Sequence, residues 1–310
     1  MNKCPITYEI IEEGLYSIKG LQKINPKLKM LNLLDFTKEE LLAEAELLSE
    51  KMSIEGVQPK ISAVISVIDS KIKLVGQNGL FIIKPQHEIY QNVPENEDLT
   101  MRLAELVKIE VPFHGLIYDK EGNLHYFIKR FDRMSIKKKY PVEDFAQLIC
   151  KNRDTKYNSS MEKVGEIIEE FCTFPIIEKV KLFRLTLFNY LIGNEDMHLK
   201  NFSLITKNNK TTLSPAYDLL NTSIIIKNAK EEIALPIKGK KNNLTRKDII
   251  EYFGKERLGL NAKTIDKILM DFTNALPNWY KEIEKSFLPE NLVSAYLEIL
   301  KSRVIKIGLK

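Results

Sequence analysis

Residues 176–192 are apolar nearly all the way round a helical wheel. Val180, Leu182, Phe183, Leu185, Leu187, Phe188, Leu191 and Ile192 leave almost no polar face, which marks a helix buried inside a core. Gly193 ends it. Upstream, Val164, Ile167, Ile168 and Phe171 fall at i, i+3, i+4 and i+7, the spacing of one helical face. Downstream, helices are predicted over 246–254, 263–274, 277–284 and 290–307. A short hairpin interrupts them, 202–205 and 211–213, turned at Asn208-Asn209.

The first half reads differently. Thr37-Lys38-Glu39-Glu40 has capping-box spacing and predicts a helix to about Met52. Residues 61–68 (ISAVISVI), 71–75 and 80–84 (LFIIK) are short, β-rich runs. Asn78-Gly79 predicts a hairpin turn, since both residues tolerate positive φ. A helix fits 96–108, with Leu99, Leu103 and Leu106 on one face. Strands follow at 113–118 and 124–131, turned by Glu121-Gly122-Asn123. The expected fold class is α+β, with a β-rich lobe over 1–132 and a helical lobe over 133–310. Two lobes joined at a short hinge near 129–133 would make a cleft, a common ligand site.

Composition narrows the function. With 310 residues, 44% of them hydrophobic, the chain can bury a real core. A net charge of +5 favours phosphates and acidic partners, but the charges are interleaved and do not argue for nucleic acid. Lys137-Lys138-Lys139 and Lys238-Gly239-Lys240-Lys241 read as solvated loops. Cys4, Cys150 and Cys172 form no CxxC pair, so neither zinc nor a disulfide framework is indicated. Cys150 and Cys172 lie in helical patterns and are expected to be small buried hydrophobes. No apolar run reaches the length of a membrane span, about 20 residues, and the N-terminus lacks an apolar signal core. A cytoplasmic protein is expected.

The chemistry is concentrated in Gly193-Asn194-Glu195-Asp196-Met197-His198-Leu199-Lys200-Asn201. Asp196 and Asn201 are five apart. In kinase catalytic loops the D-x-x-x-x-N spacing puts a carboxylate by the attacking hydroxyl and an amide oxygen on magnesium. Asp218 follows the hairpin, seventeen residues after Asn201, where a kinase carries its second metal ligand. Magnesium prefers oxygen donors and keeps several waters, so one carboxylate and one amide with the ATP phosphates suffice. Lys84 ends an apolar strand and must find an anionic partner or snorkel. Glu97 is the best candidate partner and Glu95 the second.

Asn194-x-Asp196-x-His198-x-Lys200-Asn201-x-Ser203 and Pro215-x-Tyr217-Asp218 resemble the HipA-like serine/threonine kinases, toxins of bacterial toxin–antitoxin modules. Phe127-Ile128-Lys129-Arg130-Phe131-Asp132-Arg133, Glu143-Asp144-Phe145-Ala146-Gln147 and Ala234-Leu235-Pro236-Ile237-Lys238-Gly239-Lys240 add to the likeness, in the same order. The resemblance implies a protein-kinase-like fold and roles by position. Asp196 would be the base, Asn201 and Asp218 would hold Mg2+, and Lys84 would hold the ATP phosphates. The backbone at Lys129 and Phe131 would bind adenine, with His198 and Lys200 near the γ-phosphate. Residues 53–60, including Ser53, Gly56 and Val57, resemble the family's phosphate-covering loop, with a single glycine instead of G-x-G-x-x-G. H-R-D, D-F-G and A-P-E are missing. Ser53 is the candidate for autophosphorylation.

Only about 50 residues precede that loop, so a compact variant is expected, its missing part supplied by a separate small antitoxin protein. The implied partners are a DNA-binding antitoxin and a protein substrate, such as an aminoacyl-tRNA synthetase. Two other readings stand beside this one: a small-molecule phosphotransferase, and a catalytically silent pseudokinase scaffold in a repressor complex.

Overall fold

The computed structural model describes residues 2–49, 59–151, 155–226 and 231–309. They fall into two units: Met1–Leu99 with Pro112–Lys139 and Lys285–Leu288, and Thr100–Val111 with Tyr140–Glu284 and Pro289–Lys310.

In the first unit, β1 (Asn2–Lys3) and β2 (Ile10–Ile11) pair antiparallel. Helix α1 (Ile18–Ile24) is capped by Ser17, whose hydroxyl accepts the Gly20 amide at 3.0 Å. Helix α2 (Lys38–Ser49) starts at the predicted capping box. The Glu40 amide donates to Thr37 Oγ1 at 3.1 Å and the Thr37 amide to Glu40 Oε2 at 2.7 Å, satisfying two orphan donors reciprocally. Then come β3 (Ile61–Ser66), β4 (Lys71–Leu74), β5 (Phe81–Lys84), α3 (Val93–Leu106), β6 (His114–Tyr118) and β7 (Leu124–Lys129). Helix α3 crosses the division between the units. It begins three residues before the predicted start, and Leu106 is exposed while Leu99 and Leu103 are buried.

Strands β3 to β7 form one antiparallel sheet in the order β4-β3-β5-β7-β6. This corrects the Asn78-Gly79 hairpin: β4 and β5 flank β3 and do not pair with each other. Ile61, Ser62 and Ala63 are all buried, and backbone so enclosed needs partners along both of its edges. Gly79 crosses close over β3 instead. Its amide donates to Ser62 Oγ at 2.9 Å, and a Cβ there would lie 2.3 Å from that oxygen and 2.5 Å from Ala63 N. The core of this unit joins Ile61, Ala63, Phe81, Ile83 and Phe127 of the sheet to Leu21, Leu28 and Leu41.

The second unit contains β8 (Val142–Asp144), α4 (Phe145–Leu148), α5 (Met161–Phe171), α6 (Pro175–Ile192), β9 (Ser203–Lys207) and β10 (Lys210–Leu213). A π-helix (Lys247–Arg257), α7 (Ala262–Lys285) and α8 (Glu290–Ile307) follow. Leu182, Phe183, Leu187, Phe188, Leu191 and Ile192 of α6 are completely buried, as the wheel requires. The Asn208-Asn209 turn forms with both residues at positive φ, 50° and 60°. Strand β8, not anticipated, adds to β9 and gives the order β10-β9-β8.

The predicted break at Pro277 is absent, and α7 runs straight through it. Proline removes one backbone bond, but Phe272, Leu276, Trp279 and Ile283 keep one buried stripe across it. Trp279 also donates from Nε1 to Leu103 O at 2.9 Å. Cys172 is buried as expected, but Cys150 is exposed, at positive φ just beyond α4. Among the described residues, no helix is long and apolar enough to cross a membrane.

Candidate active site

Lys84 is the last residue of β5, opposite Tyr126 of β7. Its ammonium lies 5.6 Å over the Tyr126 ring and 2.6 Å from Glu97 Oε1, with both side chains withdrawn from solvent. The other candidate is engaged elsewhere: both Glu95 oxygens accept Gln86 Nε2, at 2.8 and 2.9 Å, and burial raises the Glu95 pKa. Next to Glu97, the buried Asp98 accepts the Tyr8 hydroxyl at 2.7 Å and meets His114 Nδ1 at 2.8 Å. Three carboxylates thus cluster in the first turns of α3, where the helix dipole favours negative charge.

The Lys129 amide donates to Phe113 O at 2.8 Å and the Arg130 amide to Leu80 O at 2.8 Å. The expectation for the Lys129 backbone therefore concerns its carbonyl. Arg130 forks onto Asp132, Nε to Oδ1 at 2.9 Å and Nη2 to Oδ2 at 2.7 Å, beside Phe131. Ser53, Gly56 and Val57 lie outside the described residues.

The second unit carries the loop. Gly193 closes α6 at φ 81°, where a side chain would be strained. Asn194 turns the chain: its Nδ2 donates to Asn189 Oδ1 at 2.9 Å and its Oδ1 accepts the Asp196 amide at 3.0 Å. Asp196 O then accepts the His198 amide at 2.8 Å and Asn201 Nδ2 at 2.8 Å. That second bond engages the nitrogen of the Asn201 amide, so Oδ1 is the atom left to ligate a metal. Leu199–Asn201 form a single 3₁₀ turn, which is why D-x-x-x-x-N brings its two ends together.

Around Asp196 two further groups assemble. The Tyr157 hydroxyl donates to Asp196 Oδ1. His198, buried, lies edge-on to the Tyr157 ring at 5.0 Å, and its Nε2 is 3.9 Å from the same carboxylate oxygen, beyond hydrogen-bond range. Burial lowers the His198 pKa; the charges of Asp196 and Asp218 work the other way. The loop is tied to the following segment by Tyr217, whose hydroxyl donates to Lys200 O at 2.9 Å and meets Ser203 Oγ at 2.5 Å. Asp218, the next residue, is held at φ 54°. That is uncommon for a residue with a side chain and is maintained only by its surroundings.

Sequence reasoning missed Tyr157 and the brace behind the loop. The Glu195 amide donates to Thr222 Oγ1 at 2.7 Å, and Ser223 Oγ donates to Glu195 Oε1 at 2.5 Å. Arg303 of α8 donates to Tyr190 O at 2.5 Å and to Glu232 O at 3.2 Å, with Nη2 4.0 Å from Glu195. Arg303 carried a readable signal: a charge at the spacing of the apolar stripe Tyr296, Leu300, Ile307 must find buried partners. Tyr157 carried none, because nothing local distinguishes a loop tyrosine.

Among the described residues no group of three or more His, Cys, Asp or Glu makes an all-protein metal cage. Asn201 and Asp218 instead offer two hard oxygen donors, the partial set a magnesium ion uses with phosphates and waters. The residues fit that ion.

Residues 52–280 match the family model described as the HipA-like C-terminal domain. A Haemophilus influenzae protein named "Putative kinase" is 29% identical, across 96% of this chain and 92% of its own length. A Sinorhizobium fredii protein of like description is 32% identical, across 81% of this chain; the match spans 64% of that relative's length. HipA of Shewanella oneidensis, solved with HipB and operator DNA, superposes with a TM-score of 0.70 at 20% identity, over 91% of this chain and 74% of that one. The proinflammatory kinase CtkA of Helicobacter pylori superposes with a TM-score of 0.55 at 17% identity, over 77% of this chain and 91% of that one. These likenesses show the α+β protein-kinase-like fold. The chain belongs to the HipA-like C-terminal domain family.

Proposed function

We propose that the chain is an ATP- and magnesium-dependent serine/threonine protein kinase, the toxin of a toxin–antitoxin module acting in the cytoplasm. One observation carries this reading: the Asn201 amide nitrogen donates to the Asp196 carbonyl, so that the proposed base and the proposed metal-ligating oxygen are held in one turn. Asp196 accepts the hydrogen bond of a serine or threonine hydroxyl and takes its proton. The hydroxyl oxygen bonds to the γ-phosphorus, the bond to the β-phosphate oxygen breaks, and ADP leaves. Lys84, oriented by Glu97, holds the α- and β-phosphates. Bound by Asn201 and Asp218, Mg2+ would neutralise phosphate charge. His198 and Lys200 are assigned to the γ-phosphate, the Lys129 and Phe131 backbone to adenine, and the loop with Ser53, Gly56 and Val57 to covering the phosphates, with Ser53 the autophosphorylation site.

The proposed partners are an antitoxin and a protein substrate. HipA of Shewanella oneidensis was solved with HipB and operator DNA, which supports a DNA-binding antitoxin here, joined by a separate small antitoxin protein. A translation component such as an aminoacyl-tRNA synthetase is the proposed substrate class. The test is incubation with labelled ATP, magnesium and host lysate. Asp196→Asn should lower labelling by about 10²–10⁴-fold while calorimetry shows Mg-ATP still bound. Equal labelling by both proteins defeats the assignment of the base.

A further inference from the structure

The phenol of Tyr157 makes the bond that a substrate hydroxyl needs. It donates to Asp196 Oδ1, and a serine or threonine positioned for phosphorylation would donate to the same carboxylate. Burial, together with that bond, raises the Tyr157 pKa, so the phenol keeps its proton and remains the donor. The position is reachable, since Tyr157 is 38% exposed and the Asp196 side chain 51%. Two lysines approach the ring, and the second of them, Lys241, is paired with Glu231 at 3.2 Å. Lys156 Nζ stands 5.1 Å from the centre of the Tyr157 ring and Lys241 Nζ 5.9 Å, within range of a cation–π attraction. Both ammoniums thus lie near the ring whose hydroxyl occupies Asp196.

Resting on the kinase reading above, we propose that Tyr157 fills the acceptor subsite as an intramolecular stand-in, and that this subsite takes a serine or threonine flanked by acidic side chains. The acceptor displaces the phenol from Asp196, one of its carboxylates takes up Lys156, and another competes with Glu231 for Lys241. Tyr157 therefore competes with the acceptor and leaves ATP alone. A hydrogen bond to a charged group is worth roughly tenfold in an equilibrium constant, which sets the size of the effect.

The experiment uses the purified full chain, Mg-ATP labelled at the γ-position, and two synthetic peptides with a central serine, one flanked by aspartates and one by lysines. Wild type should phosphorylate the aspartate peptide several-fold faster, and Lys156→Glu should erase that preference. Tyr157→Phe keeps the ring and should lower the KM for the aspartate peptide about tenfold, with the KM for ATP unchanged. If Tyr157→Phe instead lowers kcat with the peptide KM unmoved, the tyrosine positions the base and the proposal falls. Equal use of the two peptides, or of neither, also overturns it. Failure of the kinase reading looks different: wild type would then bind no Mg-ATP and label no protein in lysate.

Discussion

The Lys84 ammonium and the Glu97 carboxylate meet at 2.6 Å with almost no exposure to water. A pair so enclosed is expensive to break from one side, because the surviving group loses its opposite charge at a buried site. Lys84→Met and Glu97→Leu should each destabilise the fold by about 3–5 kcal/mol. The double variant should recover much of that loss in urea denaturation, while phosphate transfer stays abolished in all three. Recovery of transfer in the double variant would remove Lys84 from the proposed phosphate contact.

A second buried pair makes the stability depend on pH. His125 Nδ1 accepts the Gln86 amide at 3.3 Å, so the ring gives its Nε2 proton to Asp119 at 3.0 Å and is neutral. Burial lowers the His125 pKa, with Asp119 opposing. Below about 6.5, the unfolded histidine's value, the unfolded chain binds the extra proton and the folded chain does not. Stability therefore falls as pH drops through that value and levels off beneath the folded one. Burial also acts against the Asp119 carboxylate, but hydrogen bonds from His125, Asn123 and two backbone amides hold its pKa below the ordinary value. Its contribution persists to lower pH and is lost only as pH falls through the depressed folded value. Urea midpoints at pH 7.5 and 5.5 should fall with acid for wild type and fall less for His125→Gln. Identical slopes would mean another group titrates.

Two glycines with positive φ should behave differently. At Gly193, φ 81°, a Cβ would stand 2.8 Å from Asn221 Oδ1 and 2.9 Å from Ser223 Oγ. At Gly122, φ 87°, it would meet nothing within 4 Å. Gly122→Ala should cost only backbone strain, about 1–2 kcal/mol. Gly193→Ala adds crowding of about 1–3 kcal/mol and should also lower kcat, because the displaced Ser223 braces Glu195 of the loop. Equal losses in thermal unfolding, with unchanged turnover, would show that the loop tolerates the shift.

What could be read from the sequence was local. The all-apolar wheel of α6, the capping box at Thr37 and the D-x-x-x-x-N spacing of Asp196 and Asn201 each depend on neighbours a few residues apart. Lys84 announced a partner because an ammonium cannot end a buried strand alone. Strand order was not legible: whether β4 pairs with β5 or both flank β3 is settled by the burial of Ile61, Ser62 and Ala63, not by the turn residues between them. Nor was the continuity of α7, since the stripe that outweighs Pro277 is a property of packing. The bonds of Tyr157 to Asp196 and of Arg303 to Tyr190 join segments remote in the chain, and no periodicity reports them.

Arg303 comes from a helix translated long after the loop it steadies. A nascent chain from which Asp196 and Asn201 have emerged still lacks the guanidinium that clasps the end of α6 and faces Glu195. The loop's brace is thus completed only once α8 has also emerged, and a ribosome that has made the loop alone holds it without its clasp.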